Sequence, residues 1–232
     1  MINATQAIET LLNTNEAFLQ LKNSEIQSVK KSHEIITYAR GVSIFLVGEK
    51  PDSLLCLIEG KVKIYLEGVG GREQILRMAQ PRGFIGYRAL FAEENYAASA
   101  RALEDCVVVS IPQLVLTQIM ASNSMFTRKM MMLMAKELGS ANRRTVALTQ
   151  KHVRARLADS LLFLKETYGC EDDGKTIYAY LSRQDIAGLS NMTTSNAIRT
   201  LSNFASEGIL DVRGRRIKIR DVNKLKKISD MG

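Results

Sequence analysis

Histidine and cysteine are scarce in this sequence, and long apolar runs are missing from it. His33 and His152 are the two histidines among 232 residues. No Ser-His-Asp set, HExxH or GxxxxGK[ST] pattern occurs, so no catalytic constellation is present. The three cysteines, Cys56, Cys106 and Cys170, are odd in number, far apart and without CxxC spacing. That argues against a disulfide framework, a structural zinc or a cysteine-held iron–sulfur cluster, and for buried or incidental thiols. No apolar run reaches the roughly 18 residues that span a bilayer, so no membrane partner is expected. The N-terminal Met1-Ile2-Asn3-Ala4-Thr5 lacks a basic region followed by an apolar one. A cytoplasmic chain without a secretory signal is the expectation.

What is present is enough for two ordinary domains and a packed core: 46% of the residues are hydrophobic. The charge is uneven. Residues 1–138 hold 15 Lys/Arg against 14 Asp/Glu, whereas residues 139–232 hold 17 against 10. Nearly all of the net charge of +8 therefore lies in the last 94 residues. A basic excess in one part of a chain is the footprint of a polyanion partner, although a basic solvated surface has the same composition.

The first 30 residues read as a short amphipathic helix, with Ala7, Ile8, Leu11 and Leu12 at helical spacing. From about 35 to 112 the pattern becomes short apolar runs: Ile35-Ile36, Ile44 to Val47, Leu54 to Ile58, Val62 to Leu66, Glu73 to Leu76 and Val107 to Ile111. Glycines punctuate them about every ten residues, which predicts an antiparallel barrel or jelly roll. A long helix follows, starting at about 113 or 123 and ending at 150. Thr127, Met131, Met134, Leu138, Ala141, Thr145 and Leu148 recur at alternating spacings of four and three, the seam of helices paired side by side. Such a seam serves a homodimer, or else packs one helix on its own domain. A second helix over 154–168 precedes the loop Gly169 to Gly174. The expected organisation is a β-barrel domain over 1–122, a dimerisation helix over 123–150 and a DNA-binding domain over 151–232.

The DNA-binding reading rests on Leu181 to Ile219. Ser182 is a helix N-cap with Asp185 three residues on. Asn191 stands where a tight turn must bend through the left-handed conformation. Thr193 caps a second helix. On its wheel Ala197, Leu201 and Phe204 share one face, and Ser195, Asn196, Arg199 and Asn203 the opposite one. Arg forks onto guanine, Asn onto adenine, and Ser serves several acceptors and donors. Thr193 and Thr194 suit phosphate oxygens at the helix start. Ile209 to Val212, Arg213-Gly214-Arg215-Arg216 and Ile217 to Ile219 then read as a two-stranded wing with a basic tip. Its arginines suit a salt-dependent, sequence-independent contact with the DNA backbone.

With these elements in place, the chain resembles the CRP/FNR family of bacterial transcription regulators. The barrel text from Tyr38 to Gly86 resembles the family's effector-binding jelly roll, and Ser182 to Leu201 its winged helix-turn-helix, across roughly residues 15–222. The resemblance implies an α+β fold: an N-terminal antiparallel jelly roll, a long dimerisation helix and a C-terminal winged helix-turn-helix. It implies a homodimer on a palindromic double-stranded operator. It sets Ser182 and Gln184 on phosphates beside Thr193, Arg213, Arg215 and Arg216, and Thr194, Ser195 and Arg199 on bases, with Asn196 beside them. The acidic loop Glu171-Asp172-Asp173 falls where family members touch RNA polymerase, or is a solvated loop.

The resemblance also implies an effector pocket, and there the sequence departs from cyclic-AMP-binding members. Gly86 is followed by Tyr87 in place of a glutamate, Tyr96-Ala97 replaces an Arg-Ser pair, and Ala141-Asn142 replaces a Thr-Ser pair. A buried phosphate without partners is heavily penalised, so cyclic AMP is not the expected effector. Tyr87, Arg88, Tyr96, Arg101 and Asn142 are pocket candidates: either they hold another anion, or they are surface arginines and core tyrosines. The cofactor is unassigned. Haem would need His33, His152, Met or Cys as ligand, and a capping or solvent-facing histidine is the plainer reading. The alternatives to a transcription regulator are a ligand-sensing or enzymatic module that happens to be basic, and an oligomeric scaffold that binds nucleic acid without sequence preference.

Overall fold

The structure, a computed structural model, describes residues 3–231; Met1, Ile2 and Gly232 lie outside the described residues. Two compact units emerge: residues 1–66 with 76–139, and residues 67–75 with 140–232.

The first unit is a β jelly roll flanked by helices. Its strands are β1 (Glu34–Tyr38), β2 (Ser43–Phe45), β3 (Ser53–Glu59), β4 (Val62–Glu67, in this unit up to Leu66), β5 (Glu73–Ala79, in this unit from Leu76), β6 (Phe84–Ile85), β7 (Ser99–Ala102) and β8 (Cys106–Pro112). They form two four-stranded sheets, ordered β1-β8-β3-β6 and β2-β7-β4-β5. β3 and β8 are the longest neighbours, paired antiparallel from Ser53 opposite Pro112 to Glu59 opposite Val107. Their apolar runs, Leu54–Ile58 and Val107–Val109, have a structural reason: both faces are covered. Leu55 and Leu57 of β3 and Val108 of β8 join a core with Phe45, Val62, Ile85 and Ala100. The alternate residues Leu54, Cys56, Ile58, Val107, Val109 and Ile111 pack instead against helices. Side chains alternate across a strand, so a strand buried on both faces loses the polar alternation of an exposed sheet.

Those helices are α1 (Ala4–Thr14), α2 (Asn23–Ser32), α4 (Gln113–Ser122) and the start of α5 (Ser124–Gln150); α3 (Tyr87–Ala92) follows β6. The N-terminal segment, read as one helix, is two, joined by a short turn at Phe18–Gln20. The four apolar residues named for it are all buried. Phe18 meets Phe126 edge-on with ring centroids 5.6 Å apart. The break between α4 and α5 is Asn123. Its Oδ1 accepts from the Phe126 N–H at 3.0 Å, capping α5, while its Nδ2 donates to Glu25 Oε2 at 2.8 Å. Of the two starts considered for the long helix, the later one stands, at Ser124.

β3 and β4 are joined through Gly60, with φ +95 and no room for a side chain: a Cβ there would lie 2.5 Å from Cys106 Sγ. Glycine is the residue that adopts this backbone without penalty.

The second unit contains residues 140–232, which carry nearly all of the chain's net positive charge. α6 (Val153–Tyr168), α7 (Arg183–Leu189), α8 (Thr194–Ser206) and α9 (Val222–Asp230) surround a core of Leu157, Leu161, Ile186, Leu201, Phe204 and Leu225. β9 (Leu210–Arg213) and β10 (Arg216–Ile219) form an antiparallel hairpin with Arg213 opposite Arg216. Among the described residues, no helix is long and apolar enough to cross a membrane.

Candidate nucleic-acid interface

α7 and α8 form a helix-turn-helix whose ends are set by local chemistry. Ser182 Oγ accepts from the Asp185 N–H at 3.0 Å, and Asp185 Oδ2 accepts from the Ser182 N–H at 3.2 Å. This reciprocal pair satisfies two orphan donors at the start of α7. Asn191 takes φ +49, the left-handed conformation expected for the turn. Thr193 Oγ1 accepts from the Asn196 N–H at 3.2 Å and starts α8. Ala197, Leu201 and Phe204 face inward as their spacing requires, joined by Thr200. Arg154 of α6 covers Phe204, its guanidinium carbon 4.7 Å from the ring centroid, and forms an ion pair with Glu207. That pair holds the Glu207 carboxyl below its ordinary pKa.

The outward face of α8 carries the candidates for base contact. Thr194, Ser195 and Arg199 are exposed, and Asn196 is half-buried. Arg199 Nη2 donates to Asn196 Oδ1 at 2.8 Å, so two of the candidate readers orient each other. Sequence reasoning missed Ile198, which is 47% exposed on this face beside Ser195 and Arg199. A wheel that sorts residues by polarity sends isoleucine inward. Here it offers an apolar surface of the kind that meets a thymine methyl. Of the residues expected at phosphates, Ser182 is half-buried and occupied in the α7 cap, while Gln184 and Thr193 are exposed.

The wing is more crowded than its sequence suggests. Arg215, at the tip, is exposed and has no partner among the described residues. Arg216 pairs with Glu171, its Nε donating to Oε1 at 3.1 Å, and the Tyr180 hydroxyl donates to the same carboxylate at 2.8 Å. These bonds lower the Glu171 pKa and raise those of Arg216 and Tyr180. Lys218 Nζ lies 3.0 Å from Asp173 Oδ2. Asp211 receives Arg220 at 2.9 Å and Arg213 at 3.4 Å, and its carboxyl is held low chiefly by the Arg220 bond. Arg183 Nη2 donates to the Gly214 carbonyl at 2.6 Å, tying α7 to the wing tip.

The residues proposed for the barrel pocket lie in several settings. Tyr96 is buried and stacks on Phe45 with centroids 3.7 Å apart. Its hydroxyl pKa is pushed up to about 12, first by burial and then by Asp52 and Glu49. Gly86 has φ +70, and a Cβ there would meet Tyr96 Cε1 at 2.6 Å. Tyr87 packs edge-on against Phe84 and beneath Arg77. Arg88 is exposed and pairs with Glu94 at 2.9 Å. Arg101 lies over the Tyr65 ring and donates to its hydroxyl at 2.5 Å. Asn142 is exposed in the second unit. Neither histidine joins a cluster of possible metal ligands among the described residues: His33 bonds the last carbonyls of α2, and His152 is exposed at the start of α6.

The domain family described as Crp-like helix-turn-helix matches residues 155–228, and the cyclic nucleotide-binding domain family matches residues 35–123. The chain belongs to the CRP/FNR family of transcriptional regulators. The regulator is 26% identical over 209 residues to a CRP-like cAMP-activated global transcriptional regulator of Mycobacterium tuberculosis, covering 90% of this chain and 93% of that one. It is 27% identical to electron transport regulator A of Shewanella oneidensis, over 80% of this chain and 74% of the other. The structure of FixK2 from Bradyrhizobium japonicum has the same fold, with a TM-score of 0.76 at 23% identity over 84% of this chain and 96% of that one. The protein is accordingly a DNA-binding transcription regulator of the CRP/FNR type and not an enzyme.

Proposed function

We propose that this regulator acts in the cytoplasm as a homodimer, each copy placing α8 in a major groove and reading a palindromic operator through Thr194, Ser195, Asn196 and Arg199. The observation that carries the reading is α8 itself. Its inward face is fully buried and its outward face presents Ser195 and Arg199 to solvent, beside a wing with a free arginine at its tip. Ser182, Gln184, Thr193, Arg213, Arg215 and Arg216 supply the backbone contacts that fix register. RNA polymerase is the partner through which the bound dimer acts on transcription. A mobility-shift assay with DNA from upstream of the regulator's own operon tests this. Retention of a fragment against a large excess of random competitor at physiological salt is expected; equal competition by random DNA would refute sequence reading.

The homodimer is supported by the exposure of α5. Of its 27 residues only Phe126 and Met130 are buried. Met131 is 61% and Leu138 64% exposed. Together with Met134, Ala141, Thr145 and Leu148 they line a seam that a second copy would cover. Apolar side chains repeated along one face of a long helix are otherwise a liability in water.

Cyclic AMP, in this reading, is not the effector. The ring of Tyr96 fills the space against Gly86 and Phe45, and Arg88 is directed to Glu94 at the surface. A cyclic phosphate buried there would lack cationic partners. Isothermal titration with cyclic AMP is expected to give no heat of binding at millimolar ligand. Saturable binding in the micromolar range would show that the pocket rearranges to accept it.

A further inference from the structure

The wing and the residue that follows it carry five cations, Arg213, Arg215, Arg216, Lys218 and Arg220, and four of them are paired with carboxylates of the same unit. Three carboxylates do this, and they are not alike. Asp173 also accepts the Lys175 and Thr176 N–H groups, at 2.9 and 2.7 Å, so it builds the turn in which it sits. Asp211 binds Arg213 and Arg220, and Glu171 binds Arg216 and the Tyr180 hydroxyl. Both are largely covered: their side chains are 23% and 19% exposed, beside arginines that are 53 to 82% exposed. Glu171 lies 45 residues before Arg216 in sequence, in the loop that precedes Tyr178 and Tyr180. Its neighbour Asp172 is exposed and has no ion pair among the described residues.

We infer that Glu171 and Asp211 are built-in competitors of DNA phosphate, holding the wing arginines in internal ion pairs that the DNA backbone must displace. The inference rests on the DNA-binding reading above and deepens it. An arginine that meets a phosphate from bulk water gains a charge-assisted bond and releases a counterion. An arginine that must first leave a carboxylate gains only the difference, and the abandoned carboxylate takes up a cation in return. The wing then adds little to sequence-independent binding, although its arginine content suggests the opposite. The pairs also hold the guanidinium groups in place on the hairpin, so a backbone in the right position finds them already oriented. On this account two residues of the acidic segment serve the wing, and Asp172 is left facing solvent.

The test uses the full-length protein and a random-sequence duplex, over a series of salt concentrations. Glu171→Gln and Asp211→Asn should each raise affinity about threefold to fivefold at low salt, the size of an exposed ion pair. Each should steepen the salt dependence by up to about one ion per arginine released. Together they should give on the order of tenfold, assuming near-additivity at separate arginines. Asp172→Asn removes the same charge without touching an arginine and should stay within about twofold of wild type at about 0.15 M salt, where exposed charges are screened over about 8 Å. Thermal unfolding of each variant establishes that it is folded; the two carboxylates act on different arginines, so either variant alone can carry the test. Wild-type affinity and salt slope in folded Glu171→Gln and Asp211→Asn would overturn the inference while leaving the DNA-binding reading intact. An Asp172→Asn gain equal to theirs would overturn it too, in favour of general charge repulsion. Absence of DNA binding in the wild type and in all variants would overturn both readings together.

Discussion

Leu138→Lys should turn the regulator into a monomer and lower its operator affinity by at least about 100-fold. Leu138 is 64% exposed in the single chain, and lysine is nearly as good a helix former, so the variant should fold normally. In a dimer of paired α5 helices the same position is central to the seam, and two ammonium groups would be buried facing each other. Removal of a well-packed central side chain costs interfaces about 2 kcal/mol or more, and a buried like-charge pair adds to that. Operator affinity falls with it, because two half-sites bound by one linked pair gain from effective concentration and separate monomers do not. Sedimentation velocity gives the mass, and a shift assay gives the affinity. A dimeric Leu138→Lys protein with wild-type operator affinity would show that the seam is not where two copies meet.

Arg199→Ala should cost about 1–3 kcal/mol on the operator, a loss of about 5- to 150-fold, and relax preference at one base pair of each half-site. The side chain is exposed and, among the described residues, bonds only to Asn196 Oδ1, so its removal leaves the core of α8 untouched. Arg215→Ala makes the contrast. Among the described residues Arg215 has no internal partner, so its loss should weaken all sequences alike and flatten the salt slope by about one ion. The two variants are read side by side by titrating operator and random duplexes over a salt series. A uniform loss in both would mean that α8 anchors the protein and does not read sequence.

The helix-turn-helix was legible in the sequence because its signals are local. Ser182 with Asp185, Asn191 and Thr193 each act over three residues or fewer, and the structure finds every one in the role its chemistry predicts. The strands of the barrel were legible where both faces are buried, as in β3 and β8. They were not legible at β7, Ser99–Ala102, where Ser99, Ala100 and Ala102 are small and no residue has the branching or ring that marks a strand. β7 runs between β2 and β4, and Ala100 and Ala102 are fully buried there. Four of the pocket candidates have partners that no local pattern announces: Tyr96 with Phe45, Arg88 with Glu94, Arg101 with Tyr65, Tyr87 with Phe84. The pairing of Glu171 with Arg216 left no trace in the sequence, because an ion pair across 45 residues has no periodicity. A loop of three acids reads as solvated surface until the fold brings two of them, Glu171 and Asp173, to the wing.

The most direct test of the central claim, that a pair of α8 helices reads DNA sequence, is selection of binding sites from a random-sequence pool at physiological salt. The account predicts enrichment of one palindrome whose half-sites lie about 10 base pairs apart, centre to centre, one turn of the duplex. It also predicts that Arg199→Ala enriches the same palindrome with one position per half-site degenerate. A pool that stays random after repeated rounds, or one that yields a single unpaired half-site, would contradict it.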